Sequence, residues 1–278
     1  VNTVTISTFR RPFHTRLCLE SICRAHRWYP WADGIIICWP LERSVSLAKE
    51  VEGVLERNVD IPLKVFCEPE TVTSAHIASG WMLDHAFSLG SDCNLYIEDD
   101  VILACDAFVL MDWCQKALAS GRLSDKVIGC ALYHETIPEH YPKDRPPDPR
   151  LLHLTNGLNT CGGTAFFREP YLRYFKPEWN CKQVEPKGFD YSAHYLMYIH
   201  GLYMVWADYS RSMNCGFTAG SISQPTWAKY FGRSLWVQTR DAVRRPDKFR
   251  IDVDGSDTYP GLVREEWMIK EMEHRGLL

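Results

Sequence analysis

Glu98, Asp99 and Asp100 stand in a row between two apolar stretches, Leu95 to Ile97 before them and Val101 to Leu103 after. Carboxylates that leave a buried strand side by side repel one another, so the sequence calls for something positive nearby. Two ordinary answers are a solvated turn that caps the next helix and a divalent cation. The apolar flanks argue against a plain polar surface run and favour the cation. Mg²⁺ or Mn²⁺ takes one or two protein carboxylates and completes its shell with water and substrate phosphates, which makes a diphosphate the natural companion of such a cluster.

The elements that must position these carboxylates read as alternating strands and helices. "TVTIST", "GIIICW", "PLKVF" and "CNLYI" have strand character, and longer helix-like runs separate them. That alternation implies right-handed crossovers and a largely parallel sheet, an α/β fold. Pro12 suits a first helical turn, so strand one ends near Thr8 and a helix starts near Pro12. Both "TFRRP" and the acidic triplet then lie at the carboxyl edge of the sheet, where open α/β folds bind ligands. Arg11 and His76 are candidates to meet a nucleotide or diphosphate there, against the plainer readings of a surface arginine and a hydrogen-bonded histidine. Trp39, after the second strand, either stacks on a base or belongs to the core.

After a helix over about 105–119 and a strand near "KVIGCAL", the prolines of "HETIPEHYPKDRPPDPR" exclude regular helix and predict a long surface loop. "GGTAFF" then reads as a strand and "GFDYSAHYLMYIHG" as a helix. Gly162, Gly163 and Thr164 would let a ligand approach the backbone closely, the alternative being an ordinary bulge.

Composition bounds the function. At 278 residues, 46% hydrophobic and with a net charge of -4, the chain folds as a globular protein and has no global basic field to hold nucleic acid. No apolar run is long enough for a membrane helix. The 11 cysteines are odd in number and form no C-x-x-C pair, which with the missing N-x-[S/T] sequon points to a reducing, cytoplasmic setting.

"LYIEDDVILACDAF" resembles the E-D-D metal motif of GT-A glycosyltransferases, especially the inverting N-acetylglucosaminyltransferases. "TVTISTFRRP", "SAHIASGWMLDHA", "CGGTAFFREPYL", "KGFDYSAHYL" and "ADYSRSMNCG" follow in the order of that family's first strand, pre-metal helix, donor-side strand, base segment and closing loop. The resemblance implies a Rossmann-like GT-A domain over 1–217, with a nucleotide-binding half (1–100), an acceptor half (101–217) and a C-terminal acceptor-side extension (218–278). It implies a UDP-sugar donor, and Mn²⁺ or Mg²⁺ held by Asp100 on the diphosphate. Glu98 and Asp99 would take ribose or sugar hydroxyls beside Thr8, Arg11, Trp39 and His76. Asp190 would be the general base, although its place before a helix also suits a cap. Two departures stand out. "CWPLERS" lacks the acidic residue that many relatives place after the second strand, and Asn214 stands where some have a metal-binding histidine.

The acceptor is a hydroxyl, of a glycan or of a hydroxylated base in DNA as in phage-type DNA modification. The second option rests on Arg233, Arg240, Arg244, Arg245, Lys248 and Arg250 with Trp236 and Phe249 interleaved, a pattern that otherwise marks a solvated face. The D-x-D at Asp252 and Asp254 reads as a turn. A nucleotidyltransferase, or a noncatalytic nucleotide-sugar-binding module, are the competing classes. The first normally carries a Gly-rich phosphate loop that "TFRRPF" does not provide.

Overall fold

The computed structural model describes residues 1–8, 11–39, 49, 51, 53–54, 61–67, 75–134, 146–155, 162–179, 188–216 and 235–251; the side chains of 39, 63–67, 75–78 and 188–192 are not among what is described. The first strand, β1 (Asn2–Ser7), leads into α1 (Pro12–Trp28), which starts at the proline because its fixed φ suits a first turn. Then come β2 (Gly34–Trp39), β3 (Leu63–Cys67), α2 (Ala75–Ser88) and β4 (Cys93–Glu98), as the alternation of apolar runs implies. The second half adds β5 (Val101–Leu103), α3 (Ala107–Ala119), β6 (Val127–Ala131), β7 (Leu151–Thr155) and β8 (Thr164–Phe167). It continues with α4 (Gly188–His200), β9 (Tyr203–Ala207), β10 (Ser212–Asn214) and β11 (Arg250–Ile251).

Nine of these strands form one sheet in the order β11-β7-β9-β6-β8-β4-β1-β2-β3. The half from β3 to β4 is parallel throughout, but β8 runs antiparallel between β4 and β6, and β7 is antiparallel to β9. The sheet is therefore mixed, mostly parallel and flanked by helices. Both faces are buried: Val4, Ile6, Leu95 and Ile97 pack on one side with Leu19 and Ile22 of α1 and Phe108 of α3. Tyr96, Phe166 and Trp206 pack on the other with Met82 of α2 and Leu196 of α4. Double-sided burial explains why the strands read as continuous apolar runs rather than alternating ones.

One buried amide bridges two strands of this sheet. Asn94 is fully buried, and its amide donates to both Thr3 and Thr5 hydroxyls at 2.7 Å, tying β4 to β1. The C-terminal segment 235–251 contributes Val243 and Phe249 to the same core as α1 and α3. No helix among the described residues is long and apolar enough to cross a membrane. The eight described cysteines whose state is defined are all free thiols.

Candidate functional site

Register decides which residues reach the carboxyl edge together. Ser7 pairs with both Cys38 and Glu98, so Thr8, Trp39 and Asp99 each sit one residue beyond that line. The Asp99 backbone N–H donates to the Ser7 carbonyl at 3.0 Å, carrying the β1–β4 ladder one step into the triplet. Asp99 is fully buried and Asp100 is 3% exposed, while Glu98 is half-buried at the end of β4. Buried neighbouring carboxylates require a cation, and Arg11, at the entrance to α1, supplies it. Its Nη2 lies 2.5 Å from Asp99 Oδ1 and its Nη1 2.5 Å from Asp100 Oδ2. Burial alone would lower the Arg11 pKa, but the charges of Asp99, Asp100 and Glu98 together hold it above its ordinary value.

A second element completes the cluster. Strand β10 pairs with β5 so that Asn214 faces Val101, which brings the next residues against Asp100. The Asn214 amide donates to Asp100 Oδ1 at 3.2 Å, and the Cys215 N–H donates to the Asp100 carbonyl at 2.7 Å. Asn214 Oδ1 in turn accepts from the Gly216 N–H at 2.8 Å, which sets the orientation of its amide. Thr15, one turn into α1, donates to Asp99 Oδ2 at 3.3 Å. Thr15 carries no sequence motif, the four-residue step from Arg11 being the one available hint, whereas Gly216 ends the "ADYSRSMNCG" run already singled out. Burial, then the charge of Asp100, pushes the Cys215 thiol up to about 11, and burial raises Cys18 as well, so neither is a thiolate at neutral pH.

The other residues singled out from sequence distribute unevenly. Thr8 lies at the edge but donates its hydroxyl to the Cys38 carbonyl at 2.8 Å, acting as a latch between β1 and β2. Trp39 closes β2, His76 lies in the first turn of α2 and Asp190 is the third residue of α4; their side chains are outside what is described. Asp190 is thus inside the helix rather than in front of it. A side chain at Gly162 would collide with Tyr133, 2.0 Å from its added Cβ, and Gly163 has φ 95 with Ile97 2.7 Å from an added Cβ. Protein packing therefore accounts for both glycines. Thr164 opens β8, buried between Tyr96 and Ala131.

The basic C-terminal stretch differs from the expected stacking surface. Phe249 is 4% exposed and lies beneath the Arg211 guanidinium, which is 5.4 Å from its ring centroid. Arg245 and Lys248 pair with Asp247, Arg240 with Asp241 and Arg250 with Asp148, while Arg244 sits 4.1 Å over the Trp28 ring. Arg233, Asp252 and Asp254 lie outside the described residues, as does most of the proline-rich loop. A buried pair not foreseen from sequence joins His153 Nε2 to Asp208 Oδ1 at 2.6 Å, with Trp206 stacked between His153 and His134. Its members are 55 positions apart, so no local pattern announces it.

Among the described residues no group of three or more His, Cys, Asp or Glu side chains forms a complete metal cage. The donor set is two adjacent carboxylates at a sheet edge, which fits Mg²⁺ or Mn²⁺, ions that draw their remaining ligands from water and phosphate. Beside them, Arg11 Nε is buried and has no hydrogen-bond acceptor among the described residues, so it offers a donor that suits an anionic oxygen such as a phosphate's.

No family model matches the sequence, and no curated protein matches it. Solved structures do resemble it at low identity. A mannosyltransferase, PcManGT from Pyrobaculum calidifontis, in complex with GDP-Man and Mn²⁺, aligns at 15% identity and TM-score 0.48, covering 72% of this chain and 52% of its own. S. aureus TarS, residues 1–349, aligns at 12% identity and TM-score 0.47, covering 78% of this chain and 60% of its own. The chain thus spans about half to three fifths of the length of these two structures, and likeness at this level is too distant to speak to chemistry.

Proposed function

We propose that the chain is a metal-dependent inverting glycosyltransferase of the GT-A type, with 1–217 as its catalytic unit and 218–278 as an extension. It would move a sugar from a nucleotide-sugar, a UDP-sugar by resemblance, to a hydroxyl acceptor. The observation that carries this reading is the buried Asp99 and Asp100 pair at the carboxyl edge of β4, clasped by Arg11 from the carboxyl end of β1. One guanidinium meets two carboxylates there, which leaves negative charge for a divalent ion to balance, and that ion would serve a departing diphosphate.

In this reading Asp100 holds the divalent ion, with Asn214 keeping its carboxylate aligned. When bound, the ion neutralises charge that develops on the leaving diphosphate. Arg11 adds donors on the same side, and Glu98 and Asp99 orient ribose or sugar hydroxyls. Asp190 accepts the acceptor hydroxyl proton as that oxygen bonds to the anomeric carbon. The carbon–oxygen bond to the diphosphate breaks on the opposite face, its electron pair leaves with the diphosphate, and configuration inverts.

The test pairs thermal stability with product analysis across UDP- and GDP-sugars, with and without Mn²⁺, since a ligand that binds the folded state raises its apparent stability. One nucleotide-sugar should stabilise the wild type in a Mn²⁺-dependent way, and Asp100→Ala should abolish the shift. Asp190→Asn should keep the shift while transfer falls by ~10²–10⁴-fold. Absence of any shift under every metal condition would remove the reading. Binding without turnover would instead identify a binding module, and release of diphosphate from a nucleoside triphosphate and a sugar 1-phosphate, with formation of the nucleotide-sugar, a nucleotidyltransferase. An acceptor screen should include oligosaccharides and DNA carrying hydroxylated bases, the DNA arm being distinguished by steep loss of activity with salt.

A further inference from the structure

Three observations converge on one atom, Asp100 Oδ2. Arg11 Nη1 occupies it at 2.5 Å. The other carboxylate oxygen, Oδ1, is held separately by Asn214 at 3.2 Å. Oδ2 packs against the Gly216 backbone, an approach that only a residue without a side chain allows, because a Cβ there would lie 2.1 Å from it. A guanidinium and a divalent ion on this one oxygen would stand within a few ångströms of each other, and their mutual repulsion disfavours holding both at once.

On this basis we propose that Arg11 is a resident counter-ion that exchanges with the divalent ion. The inference rests on the metal-dependent reading above and adds a binding order to it. Without ligand, the guanidinium bridges Asp99 and Asp100 and closes the cation site. When a nucleoside diphosphate arrives with its divalent ion, Arg11 yields Oδ2 to the ion and turns its donors to a diphosphate oxygen. Its geometry suits both states. The side chain is 19% exposed, so it reaches solvent, and its buried Nε–H has no acceptor among the described residues. Arg11 also stands at the N-cap of α1 with φ -121 and ψ 66, outside the regular helix, where a side chain can swing without unwinding a turn. Asp99 keeps its bond from Thr15 when the arginine leaves.

The measurable consequence is competition between Arg11 and the metal in the absence of nucleotide. The probe is Mn²⁺ alone, titrated into the full chain with free Mn²⁺ read by electron paramagnetic resonance. Arg11→Gln should bind Mn²⁺ about tenfold more tightly than wild type, within the ~5–150-fold range of coupled sites. Mn²⁺ alone should also raise the melting temperature of that variant more than that of wild type, because the ion replaces a lost counter-charge. Should Arg11→Gln fail to fold, Arg11→Lys decides the matter. It keeps a positive charge but not the two-pronged fork, and should bind Mn²⁺ more tightly than wild type. If wild type binds Mn²⁺ and the folded variant binds it no more tightly, the exchange is refuted while the proposed activity stands. If neither protein binds Mn²⁺ with or without a nucleoside diphosphate, the exchange and the metal-dependent reading fall together.

Discussion

Asp100 is served by three neighbours from two distant parts of the chain: Arg11, Asn214 and Gly216. Each does something different to it. Arg11 balances its charge, Asn214 orients it, and Gly216 gives it room by lacking a side chain. The last role yields a sharp expectation. A methyl group at Gly216→Ala would lie 2.1 Å from Oδ2, so the carboxylate must rotate away from Arg11 or the 214–216 segment must shift. We expect Gly216→Ala to lose the Mn²⁺-dependent thermal shift while its metal-free melting temperature falls by about 2–12 °C, as overpacking of about 1–3 kcal/mol would cause. An unchanged shift would mean that the space beside Oδ2 is not used.

At the scale of elements, the parallel strands β1 and β4 deliver the triplet, and the short β5–β10 ladder brings the Asn214 segment to it. Strand β8 is antiparallel to both its neighbours, as β7 is to β9, and it lies this close to β6 because Gly129 has no side chain. A Cβ there would lie 1.9 Å from the Ala165 carbonyl oxygen, on a neighbouring backbone that cannot move without opening the sheet. The register of β6 against β9 also shifts between Val127 and Gly129. Gly129→Ala should therefore destabilise by roughly 1–3 kcal/mol or more. Thermal unfolding would show it, at about 2–4 °C per kcal/mol. A melting temperature within a degree of wild type would contradict the close approach of β6 and β8.

Across the whole molecule, Arg211 ties the C-terminal segment to the sheet. Fully buried, it donates to the Tyr209 carbonyl at 2.6 Å, to the Pro149 carbonyl and to Asp106 Oδ2 at 3.3 Å, and it covers Phe249. Asp106 Oδ2 also accepts from the Val243 N–H at 2.9 Å. Removing one member of a buried pair strands the other's charge, which typically costs about 3–5 kcal/mol. Arg211→Met should lower the melting temperature by roughly 6–20 °C. Asp106→Leu added to Arg211→Met should recover part of that loss, since the stranded carboxylate is gone. A loss below about 1 kcal/mol for the single variant would show that the pair is not buried as described.

Residue order alone determined the alternating strands and helices of the first half, the start of α1 at Pro12, and the meeting of Arg11 with the acidic triplet at one sheet edge. The first two are local, set by the periodicity of apolar residues and by proline, and the third follows because the strands of a parallel sheet end at one carboxyl edge. It also raised the expectation of a cation beside the triplet, without saying that Arg11 itself would fill that place. Tertiary structure decided what depends on distant segments meeting. The antiparallel insertion of β8 was one such outcome, as were the Asn214 bond to Asp100 and the His153–Asp208 pair. It also turned Thr8 into a latch and Phe249 into core rather than surface. An apolar run does not state its direction in a sheet, and a lone polar residue does not name a partner a hundred positions away, so both wait for the fold.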